Sequence, residues 1–143
     1  MVDLLKKLLH QQQLKKNLLT FLAEMEKNLE IFYVADQRQF ITQPFLVQAW
    51  ETVQAEPMVR KNEAIGVYAA AINEFNRLLK EQKAYEQWYT GDLKNKTQEN
   101  GRKLHVLKQD LDRKLKGLEA VIIPAGQALE KEMLQLGLLK YEQ

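Results

Sequence analysis

Large apolar residues recur along the first third of the chain at Leu4, Leu8, Leu18, Leu22, Met25, Leu29 and Phe32. Steps of three and four keep such positions on one side of a helix, whereas a half-buried strand would alternate with period two. The spacing predicts a helix over 2–36, with Gln11 and Lys15 as a polar layer in the same seam. A break follows at 37–44, where Pro44 suits the first turn of a new element. Residues 45–53 read as helix again. Pro57 interrupts them, because proline lacks a backbone donor and clashes with the preceding turn. From Met58 to Tyr89 the seam is Ile65, Tyr68, Ile72, Phe75 and Leu79. Gly91 suits the end of that helix, and Asp92 the N-cap of the next. The last seam is Leu104, Leu107, Leu111, Leu115, Leu118, Ile122, Ala125, Leu129, Met133 and Leu136, which predicts a helix over 93–140 bent at Pro124.

These elements describe an all-α protein of one domain. It is an elongated antiparallel bundle of three long helices, or of four if residues 44–55 form a short helix of their own, kinked at Pro57 and Pro124. If 44–91 is one helix folded back on 93–140 at Gly91-Asp92, the two prolines fall at one height. The first helix then runs antiparallel to the second and leaves a hairpin of residues 77–107 projecting beyond it. The heptad seams mark the packing as coiled-coil-like.

Composition narrows the chemistry. The chain has 143 residues, enough to bury a core without staples, with 45% hydrophobic and 28% charged residues. Only 6 Gly and 3 Pro leave little material for turns, so the elements must be few and long. There is no cysteine and no serine, which excludes thiol chemistry, Cys-type metal sites and a Ser/His/Asp triad. No apolar run approaches the length of a membrane span, and no apolar leader follows the first residues. A cytoplasmic protein is therefore expected. His10 and His105 have Lys7 and Arg102 three residues before them, so no Glu-x-x-His pair exists for a di-metal bundle. Neither a metal nor any other cofactor is expected.

Net charge is +2, but residues 94–116 hold eight bases against three acids. Glu99, Asp110 and Asp112 are interleaved with those bases as on a solvated helix face, which argues against nucleic acid. Tyr85, Trp88 and Tyr89 stand just before Lys94, Lys96, Arg102 and Lys103. Together they form the candidate partner-binding set of the projecting hairpin. The apolar seam beside them, left uncovered on a monomer, points to a homodimer or a protein partner.

Two alternatives use other residues. Phe32, Tyr33, Phe40, Phe45 and Trp50 surround the first break and form an aromatic plug. Phe32, Tyr33, Phe45 and Trp50 would line a small-ligand pocket if one opened there. His105-Val106-Leu107-Lys108 resembles the His-x-x-Lys of histidine phosphotransfer domains, which are also helical bundles, and implies phosphorelay through His105. The chain departs from that pattern at Gln109, where glycine is usual, and Asp110 and Asp112 would repel a phosphoryl group. The leading expectation is a non-enzymatic helical interaction or scaffold protein.

Overall fold

The computed structural model describes residues 2–38 and 43–139. Helices α1 (Val2–Arg38), α2 (Gln48–Val53), α3 (Pro57–Arg60), α4 (Glu63–Gly91), α5 (Gln98–Lys116) and α6 (Glu119–Gln135), with a single 3₁₀ turn at Leu93–Asn95, make up the described chain, and no strand occurs among the described residues. The protein is an all-α bundle, with 86% of the described residues helical.

The connection between α1 and α4 decides the topology. One continuous helix from 44 to 91 is not formed. Pro57 instead occupies the first turn of the separate helix α3, where its missing donor costs nothing. The alternative with a short helix inside 44–55 is the one the structure adopts. Residues 43–62 run back down the bundle against α1, so α1 and α4 point the same way and α6 opposes both. Asn28 and Phe21 meet Tyr68, Tyr33 meets Glu119, and Asn62 meets Glu132. Pro124 shares a surface groove with Ala64 and Val67.

Polar side chains hold the returning segment. Its residues 45–47 are neither helix nor strand, so their backbone groups need partners from elsewhere. Asn76 accepts from the Phe45 N–H at 2.8 Å and donates to its carbonyl at 2.9 Å. Asn28 does the same for Leu46, at 2.7 and 2.9 Å, and also donates to the Tyr68 hydroxyl at 2.7 Å. The Glu24 carboxylate accepts from the N–H groups of Ala49 and Trp50, at 2.9 and 3.1 Å. These are two of the free donors in the first turn of α2, whose own N-cap, Val47, has no side chain to offer. Glu24 and Asn28 are both buried. They interrupt an apolar face of Leu18, Phe21, Met25, Ile31, Phe32 and Ala35. The true seam therefore runs through Phe21 and Asn28, with Leu22 and Leu29 only half-buried at its edge.

The expected seam through Leu4, Leu8, Gln11 and Lys15 is not in the bundle, because all four residues are exposed. The last long helix is also divided. The interruption falls at Gly117-Leu118, where Gly117 N–H bonds to Lys114 and Leu118 N–H to Leu115 in tightened turns. Pro124 lies inside α6. α6 ends at Gly137, with φ of +73°: its N–H reaches the Leu134 carbonyl and that of Leu138 the Met133 carbonyl. This is a Schellman cap, which needs a residue without Cβ strain. Phe40, part of the expected aromatic plug, lies outside the described residues.

Two outcomes follow from the bracketed segment. Asn28→Ala leaves the Leu46 backbone and the Tyr68 hydroxyl without partners in a dry site. It is expected to cost roughly 2–4 kcal/mol in a urea titration, against no more than about 0.5 kcal/mol for the exposed Gln13→Ala. Burial pushes the Tyr68 hydroxyl from its ordinary 10.0 up to about 12; the Asn28 donation works against the rise and the Glu24 carboxylate adds to it. The folded pKa is thus the higher one. The associated stability is fully present below pH 10 and is lost as pH climbs toward 12, about 3 kcal/mol in all. Unfolding midpoints measured between pH 9 and 12 should fall with a shallower slope in Tyr68→Phe.

Candidate functional site

The hairpin of α4 and α5 is built by turn chemistry that the sequence shows openly. α4 stops at Gly91, and the Asp92 carboxylate accepts from the Lys94 N–H at 3.0 Å to start the 3₁₀ turn. Thr97 Oγ1 then caps α5 by accepting from the Asn100 N–H at 3.1 Å. Asn95 Nδ2 donates to the Trp88 carbonyl, and Asn100 Nδ2 to the Asn95 carbonyl, both at 2.8 Å. The Tyr85 hydroxyl donates to the Asn100 carbonyl at 3.3 Å. Tyr89 lies over Gly101 so closely that a Cβ there would stand 3.2 Å from the phenol oxygen. Tyr85 and Tyr89 are therefore partly spent on holding the hairpin closed. Trp88 leans on Tyr85 at a centroid distance of 5.4 Å and remains 48% exposed. Leu104 is buried in the hairpin but lies outside the main core, which reaches only to Leu79 and Leu111.

Beside this hairpin an open groove of about 440 Å³ is lined by Tyr85, Glu99, Arg102, Lys103, Val106 and Leu107, and its walls are almost wholly apolar. Val106, one of its lining residues, is half-exposed. The groove brings three members of the candidate partner-binding set, Tyr85, Arg102 and Lys103, to one place. Lys94 and Lys96 stand apart, exposed on the 3₁₀ turn and just after it. No carboxylate pairs with Lys94, Lys96, Arg102 or Lys103 among the described residues. Further along the basic stretch, Lys108 meets Glu86 at 3.0 Å, Arg113 meets Asp110 and Lys116 meets Asp112. The Lys108 ammonium, with a second donation from Gln82, holds the Glu86 carboxyl below its usual range.

Of the four aromatic residues of the ligand-pocket alternative, Phe32 and Phe45 are buried, Trp50 is half-buried and Tyr33 is exposed. Phe32 is buried edge-on to Tyr33, Phe45 packs on Phe75 at 5.2 Å, and Trp50 lies 6.0 Å from Phe21. Tyr33 is 42% exposed and donates to Glu119 at 3.2 Å. His105 is exposed on α5, while the Lys108 ammonium beside it is engaged by Glu86. No cluster of three or more acidic or imidazole side chains with metal-binding geometry occurs among the described residues, and none of their helices is long and apolar enough to cross a membrane.

A second surface was legible only in part. Val2, Leu4, Leu5, Leu8 and Leu9 are all between 48% and 66% exposed, on the half of α1 that runs past the end of the bundle. A shallow groove lined by Gln12, Lys15, Lys16, Leu19, Thr20 and Ala23 continues along the same outer side.

No protein-family model matches the chain, and no curated protein or solved structure matches it.

Both partners of the Lys108–Glu86 pair are more than a third exposed, so water screens it. Lys108→Met should change stability by less than about 1 kcal/mol. The Glu86 carboxyl, followed by NMR, should titrate nearer the usual carboxylate range in that variant.

Proposed function

We propose that the chain is a non-enzymatic helical interaction protein that docks a protein partner on the α4–α5 hairpin and self-associates. The observation that carries this reading is the hairpin groove, an apolar trough edged by Arg102, Lys103 and Glu99, in which, among the described residues, no acid lies within ion-pair distance of either base. Such a trough suits the apolar face of a partner helix whose flanks carry Asp or Glu. The aromatic residues around it add area at low entropic cost. The cytoplasm is the compartment proposed, in keeping with a cysteine-free chain.

The variant Val106→Glu/Arg102→Glu reverses both the apolar and the charged character of the trough, and it touches only exposed positions. Its circular dichroism and melting point should match the parent. In affinity capture from the source cells with the full chain as bait, the parent should retain a stoichiometric protein that the variant loses. Equal retention by both proteins, or none by either, would remove the hairpin from the proposal.

A further inference from the structure

Helix α1 carries two apolar faces that point in opposite directions. From Leu18 to Ala35 the buried positions are Leu18, Phe21, Met25, Ile31, Phe32 and Ala35, with half-buried Leu14 leading into them. From Val2 to Leu9 the apolar positions are Val2, Leu4, Leu5, Leu8 and Leu9. At about 100° per residue, the centres of these two arcs lie roughly 180° apart around the helix axis. The side of the N-terminal half that continues the bundle-facing arc carries Asp3, Lys6, Lys7, His10 and Gln13. This half therefore does not extend its own bundle's core. Its leucines are covered only by something lying on the outer face of α1, the face that continues through Leu19, Ala23, Glu26, Glu30, Tyr33 and Val34, all exposed.

We infer that the occupant is a second copy of this chain, paired antiparallel along the outer face of α1 about a two-fold axis near Leu19. The inference rests on the reading of the protein as self-associating, but not on the hairpin. Two observations select the second copy. The first is charge. On the outer side, residues 2–19 carry Lys15 and Lys16 and no acid, whereas the exposed outer side beyond them offers Glu26, with Glu30 paired to Lys27 at 3.2 Å. Antiparallel pairing sets Lys15 of each copy opposite Ala23, one turn from Glu26 of the other, and lays Leu4 and Leu5 over Val34 and Tyr33. Parallel pairing would stack lysine on lysine, and an anionic membrane would meet Glu26 and Glu30 on the same face. The second is extent. About 30 residues of overlap span ~45 Å, and a strip ~10 Å wide buries on the order of 450 Å² per copy. The total of about 900 Å² falls in the range of weak, reversible interfaces, below the ~1,200 Å² of stable ones, and the N-terminal half alone would fall well short even of that.

Sedimentation equilibrium of the full chain tests the pairing, and cysteine placement in this cysteine-free chain tests its geometry. The parent should sediment as a dimer. Leu5→Glu/Leu8→Glu alters only exposed positions, so it should sediment as a monomer with unchanged helicity. Lys15→Glu should weaken the dimer at least tenfold, and adding Glu26→Lys should restore it. On oxidation, Leu19→Cys should cross-link to itself. Leu5→Cys should not, but it should cross-link when mixed with Val34→Cys. A monomeric parent, or one that remains monomeric and binds phosphatidylserine vesicles through these leucines, would overturn self-pairing. A Leu5→Cys self-cross-link would overturn the antiparallel arrangement. Loss of the captured partner in the hairpin variant, with the dimer intact, separates this test from the one above.

Discussion

Six residues of irregular or barely helical backbone, Phe45 to Trp50, pass between α1 and α4 close to the core. Phe45 and Ala49 are buried among them. An unpaired amide in such a place costs as much as a lost hydrogen bond, and there are several. The fold meets this with a small set of polar side chains aimed inward: Asn28 and Asn76 each bracket one peptide, and Glu24 supplies the cap that Val47 cannot. No buried side-chain polar atom among the described residues is left without a partner. Because the segment is held in that position, it carries the chain back to the foot of the bundle, and α4 must start where α1's packed half starts. The parallel course of α1 and α4 is a consequence.

That topology in turn decides what each end of the molecule exposes. α1 is longer than its packed portion and overhangs one end, while the α4–α5 hairpin extends beyond the core at the other. The hairpin is self-sufficient: Asp92, Asn95, Thr97 and Asn100 pair its turn, and Tyr85, Tyr89 and Leu104 fill its interior. The overhanging half of α1 has no such filling. Its leucines are aimed away from its own bundle, and within the described chain they touch no core. The two ends thus present different surfaces, one an apolar trough edged by Arg102 and Lys103, the other an uncovered apolar helix face.

How much of this was legible varies with the range of the interactions. Asp92 and Gly91 act within a few residues of themselves, and the turn they mark is where the sequence puts it. The division at Gly117 is hidden because Leu115, Leu118 and Ile122 keep their helical spacing across it. The seam of α1 is misread for a related reason. A strip chosen for leucine passes through Leu22 and Leu29, whereas the buried strip passes through Asn28 and beside Glu24. The i, i+4 spacing of those two polar residues within an apolar face was the available signal. Of the candidate hairpin residues, Tyr85, Arg102 and Lys103 converge on the groove. Lys94 and Lys96 do not, since their position depends on the 3₁₀ turn.

The amino-acid sequence by itself determined that this chain is helical, where the hairpin turns and which stripes are apolar. Those properties follow from backbone propensity, capping and three-to-four spacing, all of which act over one or two turns. The tertiary structure alone decided the direction of the return segment, the inward role of Glu24, Asn28 and Asn76, and which leucines face a core and which face water. Each of these depends on partners 18 to 40 residues distant, whose placement no local pattern encodes.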